Sequence, residues 1–187
     1  MDEYPMQNWQ WRLLDSDELA IDLGKKVTQT LSFKRSFLRD RLPQQVSFSM
    51  DDAETFQNFA DYLDSYSALS SNEQFDIALH ATALVRFGKL MLPQSWYFKF
   101  GNFGGNEAWP DDYLFCSLNS GTAEADFLII EKDERCSLCM LVDESFEVGG
   151  FKTMQRFEVT RVLNDRLQES QRHPIQRKGS FSSQQWA

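Results

Sequence analysis

The stretch Phe75-Asp76-Ile77-Ala78-Leu79-His80-Ala81-Thr82-Ala83-Leu84-Val85-Arg86-Phe87 decides the fold, because it is apolar on nearly every side of a helix. Ser70 and Glu73 stand before it at the spacing of a capping box, and Gly88 and Pro93 follow it as stop signals. A helix that is apolar all round is normally covered by other parts of a protein. The stretch therefore predicts a helix that is largely buried.

A small sheet and a first helix are predicted upstream of this buried helix. Residues 9–13 alternate large apolar with polar side chains, and residues 19–23 follow an acidic turn, which is typical of a hairpin with one buried face. Residues 27–33 can add a third strand. The segment Asp51-Asp52-Ala53-Glu54 has a capping-box spacing and predicts the start of the first helix. Apolar residues of that helix recur at i, i+3, i+4 and i+7, namely Phe56, Phe59, Ala60 and Leu63.

After Pro93 the sequence changes to short β-prone runs separated by clusters of Gly, Asn and Asp. Short strands at this spacing are typical of a small barrel or sandwich. The predicted strands cover residues 95–100, 113–118, 127–131 and 136–142 and a piece around Phe146 and Val148. Residues 157–167 are interpreted as a strand that enters a short helical turn.

The predicted fold class is α+β. An N-terminal α/β domain over residues 1–93, with a hairpin or sheet and two helices, is expected to pack on a C-terminal β-barrel-like domain over residues 94–168. Two domains of this size gain stability by packing together, because more apolar surface leaves water. Residues 169–187 are rich in Gln, Ser and Arg and are expected to form a mobile tail, because they bury too little apolar surface to offset the entropy of ordering.

Charge and hydropathy exclude several classes of partner. The chain of 187 residues has 28 acidic against 19 basic residues and a formal net charge of -9, so most of its surface should repel nucleic acid and anionic lipid. No stretch approaches the roughly 20 apolar residues that cross a bilayer, and residues 1–5 lack the features of a signal peptide. The sequence predicts a cytoplasmic protein with no nucleic-acid or membrane partner.

The cysteines and one histidine are the first candidates for chemistry. Cys136 and Cys139 have the two-residue spacing of zinc sites and of thiol redox motifs. Residues three apart in a strand point to opposite faces, however, and Cys116 leaves an odd number of thiols. Buried, reduced core cysteines are therefore favoured. His80 lies in the buried helix without a nucleophile motif elsewhere in the chain, which favours a hydrogen-bonded, semi-buried side chain.

Two further patterns are weighed as sites and set aside. The glycine-rich residues 101–105 are followed by neither Lys-Ser nor Lys-Thr, so they do not match a phosphate-binding loop. The acidic pairs Asp111-Asp112, Asp133-Glu134 and Asp143-Glu144 fall in predicted turns, where solvated loop tips are more common than catalytic pairs. The sequence predicts a protein that is not an enzyme and binds no cofactor or metal.

Aromatic residues are more informative than these motifs. The chain has 16 Phe and five Trp, which are Trp9, Trp11, Trp96, Trp109 and Trp186. Most of these rings should fill the core, because aromatic area dominates core energetics. The remainder can line an exposed apolar surface of the kind that marks a protein-binding site.

Five segments, in this order and at this spacing, resemble the ZapC family of bacterial cell-division proteins, which bundle and stabilise filaments of the tubulin-like protein FtsZ. These segments are Asn8-Trp9-Gln10-Trp11, Ile21-Asp22-Leu23, Asp51-Asp52-Ala53, Leu92-Pro93-Gln94-Ser95-Trp96-Tyr97-Phe98 and Val162-Leu163-Asn164-Asp165-Arg166-Leu167. The resemblance covers almost the whole chain, and it rests on collinear order rather than on one specific motif. The Gly- and Asn-rich loop at residues 101–106 departs from the family pattern.

The resemblance implies a cytoplasmic protein at the division site, the Z-ring at mid-cell, that binds FtsZ polymers directly. It also implies that the protein promotes lateral association of protofilaments, stabilises the Z-ring and lowers FtsZ GTPase activity, as a monomer or weak dimer. Surface-plausible residues of the matched segments are predicted to bind, namely Trp9, Trp11 and Leu23 in the hairpin, Trp96 at the domain junction and Arg166 near the end.

Two alternatives stay open at the level of sequence. The first is a generic adaptor whose tail carries Phe181 and Trp186 as a short linear motif. The second is a metal or redox protein that uses the cysteine pair and His80.

Overall fold

A computed structural model describes residues 6–65, 68–101 and 108–175. It contains ten strands and two helices among those residues. The N-terminal half consists of β1 (Gln10–Leu13), β2 (Leu19–Asp22), β3 (Thr28–Thr30), β4 (Gln45–Ser47), α1 (Met50–Asp64) and α2 (Ser71–Phe87). The C-terminal half consists of β5 (Phe115–Asn119), β6 (Glu124–Lys132), β7 (Cys136–Leu141), β8 (Ser145–Val148), β9 (Lys152–Gln155) and β10 (Val159–Leu163).

The N-terminal sheet is antiparallel with strand order β3-β2-β1-β4. The predicted hairpin is β1 and β2, and its register places Trp11 opposite Ile21. β4, which the sequence analysis did not predict, pairs with the other side of β1 and sets Val46 opposite Trp11. The ring of Trp11 consequently points into the core and is only 1% exposed.

The two helices begin with capping boxes. The Ser49 hydroxyl accepts a hydrogen bond from the Asp52 backbone N–H, and the Asp52 carboxylate accepts one from the Ser49 N–H. The capping box of α1 therefore starts at Ser49, two residues before the predicted start. Ser70 and Glu73 form the predicted box at the start of α2.

Helix α2 is buried, as its apolar pattern predicts. Ile77, Ala78, Leu79, Ala81 and Ala83 have no exposed surface. The helix ends at Gly88, whose N–H donates to the Leu84 carbonyl. A Cβ on Gly88 would lie 2.3 Å from that carbonyl oxygen, so the chain turns here only because the residue is glycine.

The C-terminal half is built on a four-stranded antiparallel sheet with order β10-β7-β6-β5, beside the hairpin of β8 and β9. The predicted α+β class is confirmed. The sheets are not closed barrels, although the chain after β10 returns to β5 through a bridge between Gln168 and Ser117. The strand predicted over residues 95–100 is wrong, because the chain forms a 3₁₀ turn at Ser95–Tyr97.

One continuous core runs through both halves. The Tyr62 hydroxyl of α1, for example, accepts hydrogen bonds from the backbone N–H groups of Leu114 and Phe115 at the start of β5. The predicted boundary between residues 93 and 94 stays a prediction.

The segment that follows β10 packs against the C-terminal sheet up to residue 175. The sequence analysis places residues 169–175 in a mobile tail, whereas the structure buries Ser170 and His173. The imidazole of His173 stacks on the Phe115 ring at 4.0 Å between centroids, and the Ser170 N–H donates to the Tyr113 hydroxyl. Aromatic partners distant in sequence therefore order this polar segment. The rest of the predicted tail, residues 176–187, lies outside the described residues.

Candidate protein-binding surface

Among the described residues, the segment that connects α2 to the C-terminal half carries most of the exposed aromatic side chains. We call residues 90–100 the exposed segment. Its exposed apolar side chains are Leu90 (85% exposed), Leu92 (82%), Trp96 (71%), Phe100 (67%) and Tyr97 (40%). The Trp96 and Tyr97 rings lie 5.5 Å apart. Apolar side chains this exposed and this close in sequence are typical of a surface that contacts another protein.

Strand β10 and the turn after it hold the backbone of the exposed segment in place. The Gln94 N–H donates to the Arg161 carbonyl at 2.7 Å, and the Leu163 N–H donates to the Ser95 hydroxyl at 2.7 Å. At the far end, the Gly101 N–H donates to the Asp165 carbonyl at 2.8 Å. The backbone of the segment is therefore fixed by hydrogen bonds, and it presents the exposed rings from defined positions.

Two residues anchor the exposed segment from opposite sides. Phe98 is buried and stacks on Phe146 of β8, with 6.2 Å between ring centroids. Arg166 places its guanidinium 3.6 Å from the centre of the Phe100 ring and donates from Nε to the Ser95 carbonyl at 3.1 Å. A cation over an aromatic face stabilises both groups. Arg166 consequently fixes the exposed face of Phe100 as part of the surface.

A groove of about 480 Å³ opens beside the exposed segment, between the end of α2 and the C-terminal sheet. Both halves contribute to it: Leu84 and Val85 come from α2, and Leu138 and Arg161 come from β7 and β10. Its charged residues are Arg39, Lys89 and Arg161 against Asp40 and Glu131. The groove is thus apolar at its base and close to neutral, because Arg161 is also paired with Asp133, whereas the whole chain has a net charge of -9.

The structure separates the five residues that the sequence predicts to bind. Trp9 is 4% exposed and Trp11 is 1% exposed, so neither ring can touch a partner directly. The Trp11 indole N–H donates to the Asp52 carboxylate at 3.0 Å, and the Trp9 ring packs edge-on against Phe48 and Phe56. The expectation that these two residues lie at the surface is wrong, because β4 and α1 cover them.

The other predicted residues are accessible in part. Leu23 is half-buried at the end of β2, away from the exposed segment in sequence. Trp96 is exposed on the surface described above, whereas the Arg166 side chain is only 12% exposed and supports that surface from below through the Ser95 carbonyl and the Phe100 ring. Leu90 and Phe100, which are exposed, were not predicted as surface residues. The only feature of the sequence that could have indicated their exposure is the position of residues 88–101, between the glycine that ends α2 and β5, the first strand of the C-terminal half.

The cysteines considered as candidates for metal or redox chemistry do not form a site in the described part of the chain. Among the described residues, no group of three or more His, Cys, Asp or Glu side chains could hold a metal ion. Cys116 and Cys139 are buried with 3.9 Å between their sulfurs, whereas Cys136 is only half-buried. Burial raises the pKa of the Cys116 thiol well above its ordinary value, which makes the thiol unreactive.

His80 is held by two backbone groups. Its Nε2 accepts a hydrogen bond from the Ser32 N–H, so the proton is on Nδ1, which donates to the Asp76 carbonyl at 2.7 Å. Burial lowers the pKa of His80 to about 4, and the imidazole is neutral at physiological pH. Both ring nitrogens are thus hydrogen-bonded, as predicted, although His80 is fully buried rather than semi-buried.

The acidic pairs make turn contacts. The Asp133 carboxylate accepts hydrogen bonds from the N–H groups of Arg135 and Cys136, which lower its pKa, and it also pairs with Arg161. Asp143 forms an ion pair with Arg172.

The glycine-rich loop lies outside the described residues apart from Gly101. No helix in the described part of the chain is long and apolar enough to cross a membrane.

An α+β chain with a fixed, exposed aromatic segment and a groove between its halves defines a class of protein, one that presents an accessible surface to another macromolecule. Comparison with known families identifies the family within that class. A family model described as "Cell-division protein ZapC, N-terminal" matches residues 4–89, and one described as "Cell-division protein ZapC, C-terminal" matches residues 90–173. This chain belongs to the ZapC family of cell-division proteins.

Individual relatives agree with the family models. A protein named cell division protein ZapC from Aliivibrio salmonicida is 32% identical over 169 residues, which cover 89% of this chain and 92% of the relative. The protein of that name from Ferrimonas balearica is 31% identical over 89% of this chain and 92% of its own length. The one from Vibrio cholerae is 29% identical over 88% of this chain and 91% of its own length. The protein is a cell-division protein, and the family matches cover both of its halves.

Proposed function

We propose that this protein binds FtsZ polymers directly in the cytoplasm at mid-cell, promotes lateral association of FtsZ protofilaments and so stabilises the Z-ring. The observation that carries the proposal is membership of the ZapC family across both halves of the chain. The exposed segment and the adjoining groove support it, because together they offer an apolar surface that is ordered before a partner arrives.

The mechanism that we propose needs no catalytic group. A protein that binds polymer more tightly than free subunit shifts assembly towards polymer by mass action alone. Lower GTPase activity then follows from slower exchange of subunits in stabilised filaments. Each contact can be weak, around micromolar or about -8 kcal/mol, because repeated sites along a filament raise the effective concentration.

The charge pattern suggests where an acidic filament would dock. Most of the surface should repel an acidic partner, but at the groove the exposed Arg39 and Lys89 balance the exposed Asp40 and Glu131. Docking at the groove therefore meets less repulsion than docking elsewhere, and the apolar contacts of the exposed segment provide the affinity.

Sedimentation with purified FtsZ and GTP tests the proposal. The protein is expected to pellet with polymer and to stay in solution with GDP, while light scattering rises and phosphate release falls. A protein that remains in the supernatant at micromolar concentrations of both partners would contradict direct binding.

The alternative that the tail alone carries the interaction needs a truncation chosen from the structure. Ser170 and His173 are buried, so removal of residues 170–187 would also damage the fold. Removal of residues 176–187 leaves every described contact in place. The folded surface predicts that this shorter chain still pellets with FtsZ polymer, whereas the tail alternative requires that binding is lost.

A further inference from the structure

A second group of contacts joins the two halves, away from the exposed segment. The Phe157 ring stacks on His80 of α2 with 3.7 Å between centroids, Lys34 lies 2.6 Å from the Glu158 carboxylate, and Arg156 lies 3.9 Å from Glu73. We call this group the interface latch; its members are Lys34, Glu73, His80, Arg156, Phe157 and Glu158. Every contact in it pairs the N-terminal half with the turn between β9 and β10.

The turn that carries the latch is fixed to its own half. The Phe157 N–H donates to the Leu141 carbonyl at 2.8 Å, and the Leu141 N–H donates to the Glu158 carbonyl at 2.9 Å. Phe157 has a φ of 70°, which is unfavourable for a residue with a Cβ. Such a conformation persists only where surrounding contacts determine it, and here the contact with His80 is among them.

The ion pair of the latch is asymmetric. The side chain of Glu158 is 3% exposed, whereas that of Lys34 is 61% exposed. The second carboxylate oxygen of Glu158 has no hydrogen-bond partner among the described residues. Lys34 is therefore the cation that compensates a buried charge, and its removal would leave that charge isolated.

The latch lies on the same two elements that form the groove. On α2, His80 precedes the groove residue Leu84 by one helical turn, about 6 Å along the axis. Arg161 of β10 follows Glu158, the last residue of the turn before β10, by three residues, about 10 Å of extended chain. A change in the distance between His80 and Phe157 would thus move both walls of the groove.

We propose that the interface latch is a positioning device, which holds α2 and β10 at the separation that the partner groove requires. When the latch is loosened, the shared core still holds the two halves together, but the groove varies in width and the partner is bound more weakly. This inference rests on the proposed function, since the groove is taken as part of the FtsZ-binding surface.

A distance measurement tests the latch without any partner. Spin labels at Met50→Cys and Phe151→Cys, both on highly exposed positions in different halves, report the separation of the halves once Cys136→Ser removes the half-buried thiol. Double electron–electron resonance should give one narrow distribution of label-to-label distances for the labelled parent and a broader one after Lys34→Met. If Lys34→Met does not fold, Phe157→Leu removes the stacking on His80 and should broaden the distribution in the same way.

Binding tests the positioning role. Lys34→Met, or Phe157→Leu if Lys34→Met does not fold, should lower the affinity for FtsZ polymer about tenfold. A substitution at Ile21, which is buried in β2 away from the groove, serves as a control and is chosen as Val or Ala to match the loss of Tm. The matched control should bind like the parent.

The outcomes separate the latch from the proposed function. An unchanged distance distribution in both latch variants overturns the latch. A broadened distribution with unchanged affinity, or an equal loss of affinity in the Ile21 control, overturns its positioning role. If the parent itself does not bind FtsZ, the proposed function fails and the positioning role with it, while the distance result still decides whether the latch holds the halves together.

Discussion

Two aromatic regions of this protein have similar composition and opposite placement. In the N-terminal half, Trp9, Trp11 and their phenylalanine neighbours form a closed cluster under β4 and α1. In the exposed segment, Trp96 and Phe100 stand in solvent on a backbone fixed to β10. Both regions are rich in aromatic side chains, so the difference in their exposure comes from which elements cover the rings. An aromatic residue marks a surface site only where the backbone is anchored and the ring is left uncovered.

The largest effect should come from the buried region. Trp11→Ala removes a ring that packs on Phe48 and Phe87 and leaves a cavity, so the free energy of unfolding should fall by about 3–5 kcal/mol. Urea denaturation followed by circular dichroism measures the loss. Trp96→Ala is the matched control and should change stability by less than about 0.5 kcal/mol. Equal losses in the two variants would remove the contrast between the regions.

Acid should destabilise the buried region through His80. Because burial lowers the pKa of His80 from 6.5 to about 4, the unfolded chain binds a proton more readily than the folded protein. This contribution to stability is fully present above about pH 6.5 and is lost as pH falls towards 4, with a total of about 3 kcal/mol. Unfolding curves at several pH values measure it. His80→Gln should be less stable at neutral pH and should lose less between pH 6.5 and 4; parallel curves would contradict the assignment.

The exposed region should respond in binding rather than in stability. The double substitution Trp96→Ser and Phe100→Ser removes two exposed rings, so affinity for FtsZ polymer should fall by about tenfold or more. The free energy of unfolding should fall only by the contribution of the Arg166 contact with Phe100, about 0.5–1 kcal/mol. Sedimentation titrations measure the affinity. Phe151→Ser is the matched control, because Phe151 is 91% exposed on the turn between β8 and β9. If the control lost as much affinity as the double variant, general hydrophobicity rather than this surface would explain binding.

The smallest effect should come from Arg166→Lys. Lysine keeps the charge near Phe100 but loses the planar stacking and the Nε hydrogen bond to Ser95, so stability should fall by about 0.5–1 kcal/mol. Differential scanning calorimetry measures the change. The same substitution at Arg41, an exposed arginine, should be nearly neutral. A neutral result at Arg166 as well would mean that the guanidinium does not hold the face of Phe100.

Local patterns were enough to predict most of the fold. Both helices, the first hairpin and most strands of the second half follow from periodicity and capping, which depend on near neighbours in sequence. β4 and β9 were not predicted, because each contains a single apolar residue, Val46 and Met154, and therefore shows no alternation of apolar and polar side chains. The strand predicted at residues 95–100 failed since those residues bond to β10, some 65 positions later.

The candidate surface was predicted only in part. Trp96 and Arg166 were chosen from segments that match the family, and the structure joins them through Ser95. Trp9 and Trp11 came from the same matched segments, yet they are buried. Sequence alone could not separate these cases, because burial of a tryptophan in β1 depends on β4 and α1, which lie more than 30 residues away.

The buried helix α2 has a consequence for how the chain is made. Its apolar surface is complete once Phe87 leaves the ribosome, but Phe157, which covers His80, is synthesised 70 residues later. At about 5–20 residues per second, that interval is roughly 4–14 seconds. During this time part of the apolar face of α2 is uncovered, so the nascent chain is expected to bind a chaperone that recognises apolar helices. Release should become possible only after β10 has been made.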